Sequence, residues 1–140
     1  MWYQNNFGVK LILLPYIFCM RKNKNVLGTD LQSCCDAPKT GFLRDGYCQY
    51  SPQDLGKHLV CVEITKEFLE FSKYLGNDLM TAKPEFGFPG LKVKDRWCIC
   101  ASRWQEALDN EVAPPVFLEA CDIKALEVLR LEDLKAYALS

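Results

Sequence analysis

The chain has 140 residues, of which 49% are hydrophobic and 25% are charged, a composition typical of a globular protein with one hydrophobic core. Its 17 basic and 18 acidic residues give a formal net charge of −1, and neither sign forms a long run. This balance excludes the basic surface that binding to nucleic acid or anionic lipid requires. We therefore expect a soluble protein whose partner is a small molecule or another protein.

The first 24 residues differ from the rest of the chain. They contain an uninterrupted apolar run from Leu11 to Met20, which is too short for a stable helical span, since that needs about 20 residues. Basic residues follow the run, and no small-residue cleavage motif appears, which is unlike a signal peptide. Two interpretations stay open: residues 1–24 are an extension outside the fold, through a mis-start or disorder, or they target an organelle or anchor the protein to a membrane.

Turn signals dominate the next part of the chain. Asp45-Gly46 stands between two short β-compatible runs, which predicts a two-residue hairpin turn with positive φ at both positions. The segment SPQDLG, residues 51–56, predicts one helical turn because it offers a capping serine and a proline at the first helical position. The apolar, β-branched segment HLVCVEI, residues 58–64, predicts a strand.

A helix and a long loop follow this strand. Thr65 is the predicted N-cap of a helix over residues 66–75, in which apolar residues recur at helical spacing before Gly76 ends it. Residues 77–96 contain two prolines and two glycines and are predicted to form a long loop. Loops of this length often carry functional residues.

The segment RWCICA, residues 96–101, predicts a second strand. Ser102 and Gln105 have the spacing of a capping box, which predicts a helix over residues 103–110. If residues 96–101 are extended, Cys98 and Cys100 lie on one face of the strand and Trp97 lies on the other.

The last part of the chain predicts a strand over residues 116–121 and an ambiguous tail. Residues 122–139 suit either one helix or a helical turn, a short strand and a final helix over residues 131–138, and we favour the broken version. Strands mixed with helices predict an α+β fold. We expect one small two-layer domain over residues 25–140, with a mixed or antiparallel sheet packed against helices and long irregular loops.

Several motifs carry a resemblance to a known family. The segments TGFLRDGYC, DLGKHLVC, EFLEFSKYLGNDL, PEFGFPGLK, DRWCIC, RWQEAL and APPVFLEA occur in that order and resemble the bacterial family called domain of unknown function 2237 over residues 25–140. The resemblance implies a small two-layer α+β domain and a soluble bacterial-type protein, and it implies no activity. Val93-Lys94 stands where the family tends to have Pro-Gly, and Cys121-Asp122 where it tends to have Thr-His, so any role of that histidine is lost or replaced here.

Eight cysteines distinguish the sequence, but their spacing argues against a disulfide scaffold. Cys34 and Cys35 are adjacent, and Cys98 and Cys100 would lie about 6.6 Å apart on an extended strand, near the outer limit for a relaxed disulfide. We therefore expect reduced thiols and a cytoplasmic protein.

The cysteines and the histidine are the strongest candidates for a metal site or a reactive group. Zinc needs four such ligands, but the only close pairs in the sequence are a vicinal CC and a CxC, so no metal site is assigned. Zinc stays open as a cofactor, and burial of cysteines as small apolar side chains is the simpler interpretation. The candidate metal ligands are Cys34, Cys48, Cys98 and Cys100.

His58 is the only histidine, which excludes mechanisms that need two imidazoles. A nucleophilic pair remains open, in which His58 activates Cys34, Cys48 or Cys61 while Asp54 orients the imidazole ring. The alternative is a histidine that is hydrogen-bonded to a backbone carbonyl where a strand begins.

Charged residues in the loop motifs are candidates for binding. Guanidinium groups near aromatic and glycine-rich loops can bind a carboxylate or phosphate through two hydrogen bonds, although internal ion pairs and turn-stabilising carboxylates are simpler roles. The aromatic residues Phe86, Phe88 and Trp97 suit a pocket beneath the long loop. The candidate binding residues are Arg44, Asp45, Asp78, Glu85, Arg96 and Arg103.

Two classes of function follow from these residues. Our leading hypothesis is a binding or interaction module with a pocket or surface built from loops 34–58 and 77–96. The competing hypothesis is a thiol-dependent or zinc-assisted enzyme, or a redox protein, that uses the cysteine and histidine set. The sequence leaves open whether the protein is an enzyme.

Overall fold

A computed structural model describes residues 23–37 and 39–139, so the interpretations of residues 1–22 lie outside the described residues. Most of the described chain is irregular, and none of its helices is long and apolar enough to cross a membrane. The strands and α-helices in chain order are β1 (Val60–Glu63), α1 (Lys66–Tyr74), β2 (Arg96–Ile99), α2 (Ala101–Asp109) and α3 (Leu131–Ala136). Short 3-10 helices lie at Pro84–Phe86, Leu118–Ala120 and Ile123–Glu127.

The two strands form an antiparallel sheet at the centre of the core. Val60 pairs with Ile99, and Cys61 pairs with Cys98. Both pairs are buried, because loops and helices cover both faces of the short sheet. The sheet and the surrounding helices confirm the predicted α+β fold with irregular loops.

Helix α1 forms as the sequence predicts. The Thr65 hydroxyl accepts a hydrogen bond from the Phe68 amide at 3.1 Å, which satisfies one of the amide groups that have no partner within the first turn. Phe68 and Leu69 face the core. Gly76 follows the helix with a φ of 93°, a left-handed conformation that glycine adopts without steric cost.

Helix α2 begins earlier than the predicted capping box. Its N-cap is Cys100 instead of Ser102, because the Ala101 amide donates to the Lys57 carbonyl at 3.0 Å. Trp104 is fully buried, and its indole Nε1 donates to a backbone carbonyl at 3.0 Å. Contacts with distant segments therefore set the start of this helix.

The predicted hairpin at Asp45-Gly46 is wrong. The described residues around it form bends without strands, and positive φ occurs at Arg44 and Gly46 and not at Asp45. The Gly46 amide donates to the Thr40 carbonyl at 2.9 Å, while the Asp45 carboxylate accepts from the Tyr47 amide at 3.0 Å. These hydrogen bonds close a compact loop in place of the hydrogen-bond ladder of a hairpin.

Two other predicted elements are also wrong. Residues 51–56 form turns and no helix, because the Ser51 hydroxyl donates to the Gln53 side chain and leaves the backbone uncapped. In place of a strand over 116–121, Val116 makes isolated bridges and a 3-10 helix follows. The tail is broken, as predicted, into a 3-10 helix and a final α-helix, without the expected strand between them.

The expectation of reduced thiols is wrong for four cysteines. Cys34 is bonded to Cys61 and Cys48 to Cys98, with Cα separations of 5.7 and 5.3 Å. The spacing argument compared cysteines that are neighbours in sequence, whereas each bond joins a loop cysteine to a strand cysteine. The two bonds therefore fasten the loops before β1 to the sheet.

Candidate functional site

Three side chains form a continuous hydrogen-bonded series at one end of the sheet. The Cys100 sulfur lies 3.3 Å from the Nε2 atom of His58, and the Nδ1 atom of His58 lies 2.7 Å from an oxygen of Asp54. A thiol, an imidazole and a carboxylate in this order are the components of an activated cysteine nucleophile.

Asp54 holds His58 at two points. One carboxylate oxygen contacts the ring, and the other accepts the backbone amide of His58 at 2.9 Å. The Asp54 side chain is almost completely buried, with 1% of its surface exposed, so water does not compete for these hydrogen bonds. Because the carboxylate accepts a hydrogen bond from Nδ1, the Nε2 atom of the ring is left facing Cys100.

Gly56 provides the space in which the imidazole and the thiol meet. A Cβ atom at this position would lie 2.9 Å from the Cε1 atom of His58 and 3.2 Å from the Cys100 sulfur. Both separations are shorter than ordinary van der Waals contacts. Any side chain at residue 56 would therefore push apart the two groups that form the hydrogen bond.

Cys100 lies at the start of helix α2. It is the N-cap of α2 and has an extended backbone conformation. The amino end of a helix carries partial positive charge, and the Cys100 sulfur lies between this helix end and the imidazole of His58 that it contacts.

The contact with Cys100 also raises the pKa of His58. The hydrogen bond with Cys100 is the largest cause that raises the pKa of His58 from its ordinary value of 6.5 to about 9, with smaller contributions from Asp54, while burial acts in the opposite direction. Its side chain is 37% exposed. At neutral pH the imidazole is therefore protonated and can stabilise a thiolate.

Two adjoining cavities open onto this series. Cys100 and Arg103 line the smaller one, of about 200 Å³, whereas Arg44 and Lys83 line the larger one, of about 400 Å³, among several aromatic side chains. His58 lines both cavities. The residues common to both walls are His58, Asn77, Leu79, Trp97 and Cys98.

Three of the candidate binding residues border these cavities and three do not. Arg44 and Asp78 line the larger cavity, and Arg103 lines the smaller one. The other three lie elsewhere, and each has a structural contact or position of its own. The Asp45 carboxylate contacts the Gln49 side chain, the Arg96 guanidinium lies 3.7 Å from the centre of the Phe117 ring, and Glu85 is exposed in a 3-10 helix.

The predicted partners of His58 need correction. Cys34, Cys48 and Cys61 are in disulfides, so none of them faces His58 as a free thiol. The orienting role predicted for Asp54 agrees with the observed contacts, but the thiol is Cys100, which the sequence suggested only as a metal ligand. The DLGKH segment, in which a carboxylate, a glycine and a histidine alternate, was a clue to the contact of Asp54 with His58 but not to the contact with Cys100.

The candidate metal ligands also separate into two places. The sulfur atoms of Cys34, Cys48 and Cys61 all lie within 4.8 Å of one another, and Cys98 is bonded to Cys48. Cys100 instead contacts His58. The predicted set therefore omitted Cys61 and included a cysteine with another partner.

The comparisons with known proteins agree with the motifs. A family model described as "Uncharacterized protein conserved in bacteria (DUF2237)" matches residues 24–138, a range that contains both the Cys100 series and the sulfur cluster. We find no curated protein that matches the sequence.

Proposed function

This chain belongs to the DUF2237 family of uncharacterised bacterial proteins, as its motifs predict, and from its site we propose that it is a thiol-dependent enzyme with Cys100 as the nucleophile. The observation that supports this proposal is the series from Cys100 through His58 to the buried Asp54, in which Cys100 and His58 line a cavity. His58 holds a proton on Nε2 beside the sulfur, and Asp54 fixes the orientation of the ring.

The chemistry that this arrangement suits is acyl transfer. The Cys100 thiolate attacks the carbonyl carbon of a bound substrate, so that a sulfur–carbon bond forms and the carbonyl π electrons move to oxygen. When the carbonyl re-forms, the bond to the leaving group breaks, and the leaving group takes the Nε2 proton of His58. Water then loses a proton to His58 and attacks the thioester, which releases the acid and restores the thiolate.

The first turn of α2 suits stabilisation of the negative oxygen. The Ala101 amide is occupied by the Lys57 carbonyl, but the amides of Ser102 and Arg103 follow it in a turn that has no intrahelical acceptors. Amides in such a turn are effective donors to a tetrahedral oxyanion. Arg103 also lines the cavity beside Cys100; its guanidinium contacts the Glu106 carboxylate at 3.1 Å and has further N–H groups that can bind an anionic substituent of the substrate.

Reaction with small electrophiles tests this proposal. Iodoacetamide should modify Cys100 faster than Cys35 or Cys121, the other free cysteines of the described residues, and p-nitrophenyl acetate should leave an acetyl group on Cys100. His58→Gln should slow both reactions by about 100-fold, the lower end of what a positioned acid–base group contributes, because the protonated ring no longer stabilises the attacking sulfur. Peptide mass spectrometry locates the modified residue.

Cys35→Ser is the matched control, because Cys35 is a half-buried free cysteine like Cys100. This variant should keep the acetylation rate of the wild type, whereas Cys100→Ser should lose the rapid phase. Equal labelling of Cys35 and Cys100 in the native protein, unaffected by the change at His58, would contradict the proposal.

A ligand-binding module is the second candidate, and the larger cavity favours it. The Arg44 guanidinium lies 5.3 Å from the centre of the Trp97 ring, and neither Arg44 nor Lys83 forms an ion pair with a carboxylate of the described residues. Two unpaired cations beside aromatic rings suit a small apolar anion. Binding of benzoate, followed by NMR, that survives Cys100→Ser and is weakened by Arg44→Ala would support this candidate over the enzyme.

A further inference from the structure

The two disulfides form one sulfur cluster. The sulfur atoms of Cys34, Cys48 and Cys61 lie within 4.8 Å of one another, and the fourth sulfur, of Cys98, is bonded to Cys48. Three of these sulfur atoms therefore lie close together in the core, and the bond to Cys48 holds the sulfur atom of Cys98 next to them. We infer that, after reduction of both disulfides, these four cysteines bind one zinc ion.

The sheet explains why the four sulfur atoms meet. Cys61 and Cys98 are directly paired across β1 and β2, and paired residues of an antiparallel sheet direct their side chains to the same face. Neither is bonded to the other. Each is instead bonded to one loop cysteine, Cys61 to Cys34 and Cys98 to Cys48, so two strand cysteines and two loop cysteines make up two neighbouring disulfides.

The dimensions of the cluster suit a tetrahedral zinc ion. Zinc–sulfur bonds of about 2.3 Å place the four sulfur atoms of a tetrahedron about 3.8 Å apart. The sulfur atoms of Cys34, Cys48 and Cys61 already lie within 4.8 Å of one another, whereas the sulfur atom of Cys98 is outside this group and must move towards Cys34 and Cys61 once its bond to Cys48 is broken. In each disulfide, once the bond is reduced, the distance between the two sulfur atoms must increase by somewhat less than about 2 Å to reach this value. Small side-chain rotations allow this increase.

The chemistry of the cluster selects zinc over hard cations. All four ligands are thiolates, whereas magnesium and calcium require oxygen ligands. Each cysteine is buried, with at most 2% of its surface exposed, so water does not complete the coordination. A closed set of four thiolates is typical of a structural zinc site and not of a catalytic one.

The two states differ by a balanced reaction. Each disulfide accepts two electrons and two protons from a dithiol reductant, which becomes a disulfide itself. The four thiols then release four protons as they bind Zn²⁺. An oxidant such as another disulfide reverses the change and releases the zinc ion. The inference is independent of the proposed role of Cys100, because Cys100 is not part of the cluster.

Metal content after refolding in two redox states tests the inference. The full chain is unfolded, refolded with zinc in the presence or absence of a phosphine reductant, and desalted before metal analysis. The reduced protein should retain about one zinc ion per chain and the oxidised protein less than about one tenth of that amount. Cobalt in place of zinc should give the absorption of tetrahedral thiolate coordination.

Matched cysteine variants identify the ligands. Cys61→Ser and Cys48→Ser should lower the zinc retained by the reduced protein at least about tenfold. Cys121→Ser is the control, because Cys121 is fully buried and contacts the backbone of Cys61 but is outside the cluster. It should retain zinc like the wild type, and so should Cys100→Ser.

Two results would overturn the inference. One is a reduced wild-type protein that retains no more zinc than the oxidised protein. The other is a metal that Cys100→Ser loses and Cys61→Ser retains, which would assign it to the His58 site. If the Cys61 variant does not fold, the comparison of reduced with oxidised wild type and the cobalt spectrum still decide between these outcomes.

Discussion

The carbonyl oxygen of Lys57 accepts a hydrogen bond from the Ala101 amide at 3.0 Å, and this contact sets the geometry of the candidate active site. Lys57 precedes His58, and Ala101 follows Cys100. The last pair of the sheet ladder at this end is Val60 with Ile99. The imidazole and the thiol therefore meet just beyond the end of the two strands, at a position fixed by backbone hydrogen bonds and not by side-chain packing alone.

The pKa of His58 should depend mainly on Cys100. Because the hydrogen bond with Cys100 is the largest cause that raises this pKa to about 9, Cys100→Ser should lower it toward 6.5. His58 is the only histidine, so the NMR titration of its ring protons reports this value without assignment of other histidines. Asp54→Asn should lower the pKa by a smaller amount, and an unchanged pKa in the Cys100 variant would refute the observed hydrogen bond.

The stabilising effect of His58 should decrease at alkaline pH. Its folded-state pKa of about 9 lies above the ordinary value of 6.5, so folding favours the protonated ring. The resulting stabilisation is fully present below about pH 6.5 and is lost as the pH rises through about 9. The free energy of unfolding of the wild type, measured with urea, should therefore exceed that of His58→Gln by more at pH 6 than at pH 9.5. If this difference instead increases from pH 6 to pH 9.5, folding lowers the pKa of His58 and the prediction is wrong.

Elements with local signals could be predicted from the sequence. Helix α1 has its own N-cap, Thr65, and a glycine at its end, so its bounds depend on residues close together in the chain. Both strands were predicted because their β-branched and aromatic residues form short runs between turn signals. Local capping and patterning were sufficient for these elements.

Elements held by distant contacts could not be predicted. The loop around Gly46 has the sequence of a hairpin, but the Cys34 amide donates to the Gly46 carbonyl at 2.7 Å and removes it from any ladder. Cys100 was assigned to a strand face, although the Lys57 carbonyl makes it an N-cap beside His58. No spacing in the sequence reveals that residues 42 positions apart form the candidate active pair.

The disulfides should contribute much of the stability of the oxidised protein. They close loops with sequence separations of 27 and 50 residues, and chain-entropy estimates for such loops are about 3.5 and about 4 kcal/mol. Reduction in the presence of a metal chelator should therefore lower the free energy of unfolding by several kcal/mol, measured with urea. The control is a variant with all four cluster cysteines changed to alanine, whose stability reductant should not change. If reduction leaves the free energy of unfolding of the wild type unchanged, the expected contribution is contradicted.

Gly56→Ala should impair the candidate active site more than it impairs folding. The added Cβ would approach the imidazole of His58 to 2.9 Å and the Cys100 sulfur to 3.2 Å, so the two groups must separate to accommodate it. We expect iodoacetamide to label Cys100 about tenfold more slowly, and the free energy of unfolding to fall by about 1–3 kcal/mol, as for other overpacked sites. The NMR titration should show a lower pKa of His58, because its main hydrogen bond is lengthened.

Leu55→Ala is the matched control for this change, since the Leu55 side chain lies in the same turn but is 91% exposed. It should leave both the labelling rate of Cys100 and the pKa of His58 as in the wild type. If Gly56→Ala also leaves both quantities unchanged, the contact between His58 and Cys100 does not depend on the absence of a side chain at residue 56. If a smaller electrophile restores the labelling rate of Cys100 in the Gly56 variant, the added methyl group blocks the cavity. If the rate stays low and the pKa of His58 is lowered, the change has separated His58 from Cys100.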